Sequence, residues 1–228
     1  MSILKFLGLG AYNNANVYGN NSAYIIKNKN LILFDCGPTV FNTIQDYNLL
    51  DDIKDIYICI THTHDDHIGS LSTLLFNIKY DLADKCITPH IITMHTVEPF
   101  VKKYLEVTGY PINDIEIAGG VSGLFDITPV RIKHAEIPSC AFILNINNKA
   151  ILYTGDTSDI PPINGYDEVY TDCTSKVYES SVHCYLDGLS GSFPSPKDRS
   201  RIYCMHLGKS IKLEDITSAG FKIPDMVE

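Results

Sequence analysis

Short apolar runs recur along the chain, each closing on a cluster of polar or turn-forming residues. Residues 3–7, 22–27 and 31–35 read as strands, the second alternating only in part. Cys36-Gly37-Pro38 breaks the third, and Pro38 opens a helix over 39–48, where Val40, Phe41, Ile44 and Tyr47 share helical spacing. Residues 56–60 predict another strand. A helix over 68–79 puts Leu71, Leu74, Leu75 and Ile78 on one face, and strand 90–94 and helix 96–107 follow. The second half predicts strands near 124–132, 141–146, 150–154, 168–172 and 201–205. Strands in both halves, mixed with helices, predict an α/β fold of two sheets covered by helices. With no internal repeat and no low-complexity linker, residues 1–228 read as one domain.

Composition agrees. Apolar residues make up 45% of the 228, enough for a packed core. No apolar run reaches the roughly 18 residues needed to cross a bilayer. The start, Met1-Ser2-Ile3-Leu4-Lys5-Phe6, reads as a strand rather than a signal peptide, so a cytoplasmic protein without membrane contact is expected. Seven cysteines are dispersed without a CxxC pair, which predicts reduced and mostly buried thiols. The formal net charge of −9 disfavours long-range attraction to nucleic acid.

The chemistry concentrates in His62-Thr63-His64-Asp65-Asp66-His67, directly after the apolar run 56–60. Three imidazoles and two carboxylates at the end of a strand suit a divalent cation, Zn²⁺ above all and Mn²⁺ or Fe²⁺ less selectively. Other apolar runs close the same way, on Asp35, His134, Asp156 and His206. A strand end holds a ligand more rigidly than a free loop does.

These residues resemble the metallo-β-lactamase superfamily of metal hydrolases. The match runs from Gly8-Leu9-Gly10 through Leu33-Phe34-Asp35-Cys36-Gly37 and the HTHDDH run to His134, Gly155-Asp156 and His206. The resemblance implies an αββα sandwich of two mixed β-sheets flanked by helices, with a dinuclear site at one edge. It assigns His62, His64 and His134 to one metal, Asp66, His67 and His206 to the other, and Asp156 to both, with a hydroxide between the cations as nucleophile. Asp35 would hold the ligand loop by hydrogen bonds. Asp65 occupies the variable position of the motif and is not counted. Retention of all seven ligands favours an active hydrolase over a nucleotide-binding sensor without turnover.

Which bond is cleaved turns on His183, which lies outside the ligand set, 23 positions before His206. It reads either as a packed or surface histidine or as a general acid for a departing alkoxide. The phosphodiesterase branch, with its ribonuclease Z-like and cyclic-nucleotide-cleaving members, has a histidine at about this offset. Tyr170-Thr171-Asp172-Cys173 also resembles that branch, and Asp172 would orient His183. Asp66 would steer the proton of the attacking water. The 22 positions from His134 to Asp156 leave no room for a tRNA-gripping arm. The resemblance therefore implies a small phosphodiester or nucleotide substrate, a 3′,5′-cyclic mononucleotide first, with no stable nucleic-acid binding. Some phage-encoded relatives degrade cyclic nucleotides to silence host defence, so counter-defence is one setting. A ribonuclease Z-like endoribonuclease and a lactone or thioester hydrolase on the same metals are the alternatives. Superfamily members acting on nucleotides often pair, so a homodimer through helices 68–79 and 96–107 is expected.

The remaining candidates are weaker. His90 and His95 flank a strand and read as structural or surface residues. Segment 11–21, rich in Asn and Tyr, reads as a hairpin loop or as a wall that overhangs the site and stacks on substrate. Asp187 to Ser192 reads as a flexible connector or lid. Ser195, Lys197, Arg199 and Arg201 form a basic stretch from which one residue could reach a phosphate.

Overall fold

The computed structural model describes residues 1–175 and 182–227. In chain order the strands are β1 (Lys5–Gly8), β2 (Ser22–Lys27), β3 (Asn30–Phe34), β4 (Asp55–Cys59), β5 (Thr88–Ile92), β6 (Glu116–Ala118), β7 (Asp126–Arg131), β8 (Cys140–Ile146), β9 (Lys149–Tyr153), β10 (Glu168–Cys173), β11 (Ile202–Leu207) and β12 (Asp225–Met226). The helices are α1 (Ala15–Tyr18), α2 (Val40–Asp46), α3 (Asp65–Ile68), α4 (Leu71–Phe76), α5 (Glu98–Val107), α6 (Leu186–Ser192), α7 (Pro196–Arg199) and α8 (Leu213–Ser218). No described helix is long and apolar enough to cross a membrane.

Among the described residues the strands form two mixed sheets, ordered β12-β1-β2-β3-β4-β5-β6 and β11-β10-β9-β8-β7. Their facing surfaces meet in an aromatic seam. Phe34 stacks on Tyr153 with centroids 4.7 Å apart and meets Phe142 edge-on at 5.9 Å, and Phe6 stacks on Tyr170 at 5.5 Å. All five rings are fully buried. Burying such a side chain stabilises the fold by about 1.5–3 kcal/mol, and well-placed ring pairs add about 0.5–1.5 kcal/mol. The buried phenol of Tyr170 accepts from the Leu4 amide at 3.0 Å, and that of Tyr153 accepts from Asn21 Nδ2 at 2.8 Å. Six of the seven cysteines are buried, and all are free thiols.

Strand direction decides where the chemistry collects. β3 to β6 run parallel, as do β9 to β11. Their carboxyl ends therefore share one edge, the place where ligands collect in parallel sheets. β7 and β8 join at the same edge, because β8 runs antiparallel to both β7 and β9. The two sheets are tied there by Cys140 N–H donating to Thr61 C=O at 2.9 Å and Ala11 N–H to Leu207 C=O at 3.1 Å.

Several elements differ from the sequence pattern. The helix expected over 68–79 is α3, a break at Gly69-Ser70, α4, and a π-helical turn over Asn77–Asp81. β6 and β12 carry no periodic signal, being three and two residues long. Residues 187–192, read as a flexible connector or lid, belong to helix α6, whose Leu189 is fully buried. The basic stretch is also partly structural. Arg199 donates to the carbonyls of Ala219 (2.7 Å) and Ser190 (2.8 Å), and Arg201 to that of Tyr166 (2.8 Å).

Candidate metal centre

Asp35, immediately after β3, is the hub of the edge. It is fully buried with φ +61°, a conformation that Asp tolerates better than most residues. Its carboxylate accepts from Thr61 N–H at 2.9 Å, from Thr61 O–H at 2.9 Å, from His67 Nδ1–H at 2.9 Å and from Tyr153 O–H at 3.4 Å. The turn that carries the histidines is thereby locked to the end of β3. Cys36 N–H donates to His67 C=O at 2.7 Å, and Ser70 Oγ–H to Gly37 C=O at 2.6 Å. Gly37 must be glycine, since a Cβ there would lie 2.0 Å from Asp66 C=O. Gly155, at φ +63°, likewise leaves no room for a Cβ beside the Thr61 side chain.

These contacts set the tautomers. Thr61 has one hydroxyl proton and gives it to Asp35, so it accepts from His62 Nδ1–H at 3.0 Å. His67 gives Nδ1–H to Asp35, and His134 gives Nδ1–H to Val182 C=O at 2.9 Å. The Nε2 atoms of His62, His67 and His134 are left as inward lone pairs, the form a metal ligand needs. His62 Nε2 lies 3.0 Å and His134 Nε2 3.3 Å from His64 Nδ1. A single His64 proton can satisfy only one of these two inward lone pairs, so the three nitrogens suit a cation between them. Burial, reinforced by neighbouring histidines, holds His62 well below its ordinary pKa, and burial brings His134 down to about 4. Both rings are neutral near pH 7.

The second group comes from α3 and β11. His206 Nε2 is 3.1 Å from Asp66 Oδ2, and His67 Nε2 is 3.7 Å from the same oxygen. His206 sits at a β-bulge: Asp172 pairs with Met205 and Cys173 with Leu207, which leaves His206 as the extra residue at φ +49°. A bulge re-aims a side chain, here toward the site. Asp156, after β9, lies between the groups. Its Oδ2 is 3.7 Å from His134, 4.0 Å from His62 and 3.4 Å from His206, and its Oδ1 is 3.3 Å from His67 Nε2.

The donor set fits divalent cations. His67 Nε2 and Asp156 Oδ1 are buried, close together and without a hydrogen-bonding partner. Burial opposes a charge on His67, yet the carboxylates of Asp156 and Asp35 hold its pKa well above the ordinary value. The site thus demands positive charge where the lone pairs converge. Asp66 works against its own burial, and His206 and His67 bring it down to about 2. His62, His64, His134 and Asp156 bring donor atoms within 4.8 Å of one another, and so do Asp66, His67 and His206.

His183 and Asp172 stand against both groups. His183 Nδ1 is 2.8 Å from Asp172 Oδ2 and 3.7 Å from Asp156 Oδ2, and its ring lies 5.2 Å from that of His134 and 5.3 Å from that of His206. Asp172 is fully buried and also accepts from Thr157 N–H and Cys184 N–H. Burial raises Asp172 to about 6 against the pull of His183. Burial opposes the His183 cation, but its bond to Asp172 leaves the pKa above the ordinary value. The His183 side chain is 26% exposed, against at most 3% for His62, His67, His134 and His206, so it alone of these five meets solvent appreciably.

Asp65 is exposed and lies in neither donor group. His90 stacks on Tyr57 at 4.7 Å between Asp55 and Glu116, apart from the site. Thr61 and the Val182 carbonyl, which set two tautomers, carry no signal in the sequence, because their role exists only through their neighbours.

Fold and donor array together define the class, a protein of the metallo-β-lactamase fold whose donor residues fit divalent cations. The family model described as anti-Pycsar protein Apyc1 matches residues 2–108, which include Asp35 and the HTHDDH run. The anti-Pycsar protein Apyc1 of Bacillus phage 010DV004 is 25% identical over 245 residues, covering 95% of this chain and 93% of its own. Among solved structures, the metallo-beta-lactamase fold protein YhfI of Bacillus subtilis superposes with a TM-score of 0.74 at 14% identity, covering 99% of this chain and 95% of its own. A diphosphatase of the PhnP family superposes with a TM-score of 0.74 at 17% identity, covering 99% and 94%.

Proposed function

We propose that this protein is a dinuclear-metal phosphodiesterase acting on a small phosphodiester, a 3′,5′-cyclic mononucleotide, in phage counter-defence. The observation that carries this reading is the Asp172–His183 pair beside two metal-binding groups: a proton donor next to an electrophile site suits a departing alkoxide. The likeness to anti-Pycsar proteins of Bacillus phages supports the counter-defence setting.

In this reading His62, His64 and His134 hold one cation, Asp66, His67 and His206 the other, and Asp156 serves both. When bound, the cations supply an acidified water and neutralise charge on the phosphoryl oxygens. Asp66 receives the proton of the attacking water. Asp172 fixes His183 Nδ1–H, so His183 gives its other ring proton, at Nε2, to the leaving ribose oxygen. The ions are zinc, and the working unit is a cytoplasmic homodimer.

The test is product formation from a panel of purine and pyrimidine 3′,5′-cyclic mononucleotides by protein reconstituted with Zn²⁺ or Mn²⁺. Opening to a nucleoside monophosphate, abolished by Asp156→Ala, is expected. No turnover by protein carrying two metals per chain would overturn the reading.

A further inference from the structure

A cleft of ≈ 700 Å³ opens beside the metal-binding groups, lined by Tyr12, Asn16, Pro38, His64, Asp65 and Asp66 among others. We propose that this cleft is the nucleobase subsite of the substrate, with Tyr12 as its stacking platform and Asn16 as its hydrogen-bonding edge. The inference rests on the phosphodiesterase reading and extends it from the reacting phosphate to the group that carries specificity.

Tyr12 keeps 73% of its surface in water. An exposed ring does no packing in the folded chain, and an aromatic face beside a phosphate site is suited to a base, since every base has a π-face. The segment that carries it is fixed from below. Gly10 N–H donates to Gly19 C=O at 2.8 Å, Asn14 Nδ2–H to Leu207 C=O at 3.2 Å, and Asn21 N–H to Gly10 C=O at 2.9 Å. Leu207 follows the donor residue His206, so wall and metal-binding group share one anchor. Asn20 and Thr39, which also line the cleft, bond reciprocally, Thr39 N–H to Asn20 Oδ1 at 3.0 Å and Asn20 N–H to Thr39 Oγ1 at 2.7 Å. The platform therefore needs little ordering when a base arrives, which favours affinity.

The chemistry of the walls distinguishes this cleft from its neighbour on the other flank. That second cavity, beside His134, is lined by Arg131, Lys133, Glu136 and Asp159, a mixed-charge surface suited to a polar group. The Tyr12 cleft presents a phenol ring, a proline and an amide, with the exposed carboxylate of Asp65 as its one charge beyond the metal-binding residues, which suits a planar heterocycle that carries N–H donors. Asn16 is exposed and carries both a donor and an acceptor, so it can read the edge of a base.

The test compares Tyr12→Ala and Tyr12→Phe with the parent protein, each loaded with metal and shown to melt alike. The substrates are a 3′,5′-cyclic nucleotide and the base-free ribose 3′,5′-cyclic phosphate, with calorimetric affinity for a nucleoside 5′-monophosphate as a second readout. Tyr12→Ala is expected to raise KM for the nucleotide roughly tenfold at near-constant kcat, to weaken the monophosphate in parallel, and to leave the base-free diester unchanged. Tyr12→Phe should retain parent behaviour, because the ring face is kept. Equal kinetics for Tyr12→Ala and parent, or equal efficiency of the parent on both diesters, would overturn the base subsite while leaving the phosphodiesterase intact. Failure of the two-metal parent to cleave either diester would overturn both.

Discussion

Asp35→Asn tests how the site is held together. Asparagine tolerates the left-handed backbone at φ +61° much as aspartate does, so the main chain should stay in place. Its amide oxygen can replace Oδ1 and keep both donors of Thr61, at 2.9 Å each. Its NH₂ group then stands where Oδ2 stood, 2.9 Å from His67 Nδ1–H. Two donors cannot share that contact, so His67 must move its proton to Nε2. The lone pair that faces Asp156 and Asp66 is then lost. A hydrogen bond to a buried charge is worth about 1.5–3 kcal/mol, and roughly 1.4 kcal/mol corresponds to a tenfold change in affinity. The substitution should weaken metal binding at the Asp66–His67–His206 group by roughly 10- to 100-fold. The group of His62, His64 and His134 should be largely spared, because Thr61 still orients His62. Titration of the zinc-loaded protein with a competing chelator, followed by metal analysis, should show one ion per chain lost much earlier than in the parent. Two ions retained with parent affinity would refute the idea that Asp35 sets the His67 tautomer.

His183→Ala should keep both metals but lower kcat for a phosphodiester by roughly 10²–10⁴, and unchanged turnover would remove His183 from the mechanism. The pKa of His183 is raised by its bond to Asp172, and a general acid works only while protonated, so activity should fall as pH rises through that raised value. Asp172→Asn removes the anion, so the alkaline limb of the kcat profile should move to lower pH; a limb that stays in place would show that Asp172 does not support the His183 proton. Arg199→Ala strands three carbonyl oxygens and removes the guanidinium from above the Phe221 ring, 5.5 Å away. It should cost roughly 2–4 kcal/mol in denaturant unfolding at unchanged kcat/KM, whereas a raised KM at parent stability would return Arg199 to the phosphate.

Much of the architecture was legible in the chain because strands and metal ligands leave local marks. Apolar runs ending in Asp35, Asp156 and His206 identified strands with chemistry at their carboxyl ends, and HTHDDH packs its donors into six positions. Helix α6 was not legible. Gly188 and Gly191 lower its intrinsic helix propensity, and it is held instead by burial of Leu189 and by the Arg199 bond to Ser190 C=O. The contacts that make the centre one unit were equally silent. Thr61 reads as one more polar residue until its hydroxyl is found between Asp35 and His62 Nδ1, and the β-bulge that turns His206 toward the site leaves no mark in the strand pattern. Sequence alone determined which residue types were available and where each strand would deliver them, because periodicity and ligand spacing are properties of short stretches. Tertiary structure decided which nitrogen of His62, His67 and His134 faces inward, how close the two donor groups come, and that an exposed tyrosine borders them. Those depend on hydrogen bonds and distances between residues far apart in the chain, which no local pattern encodes.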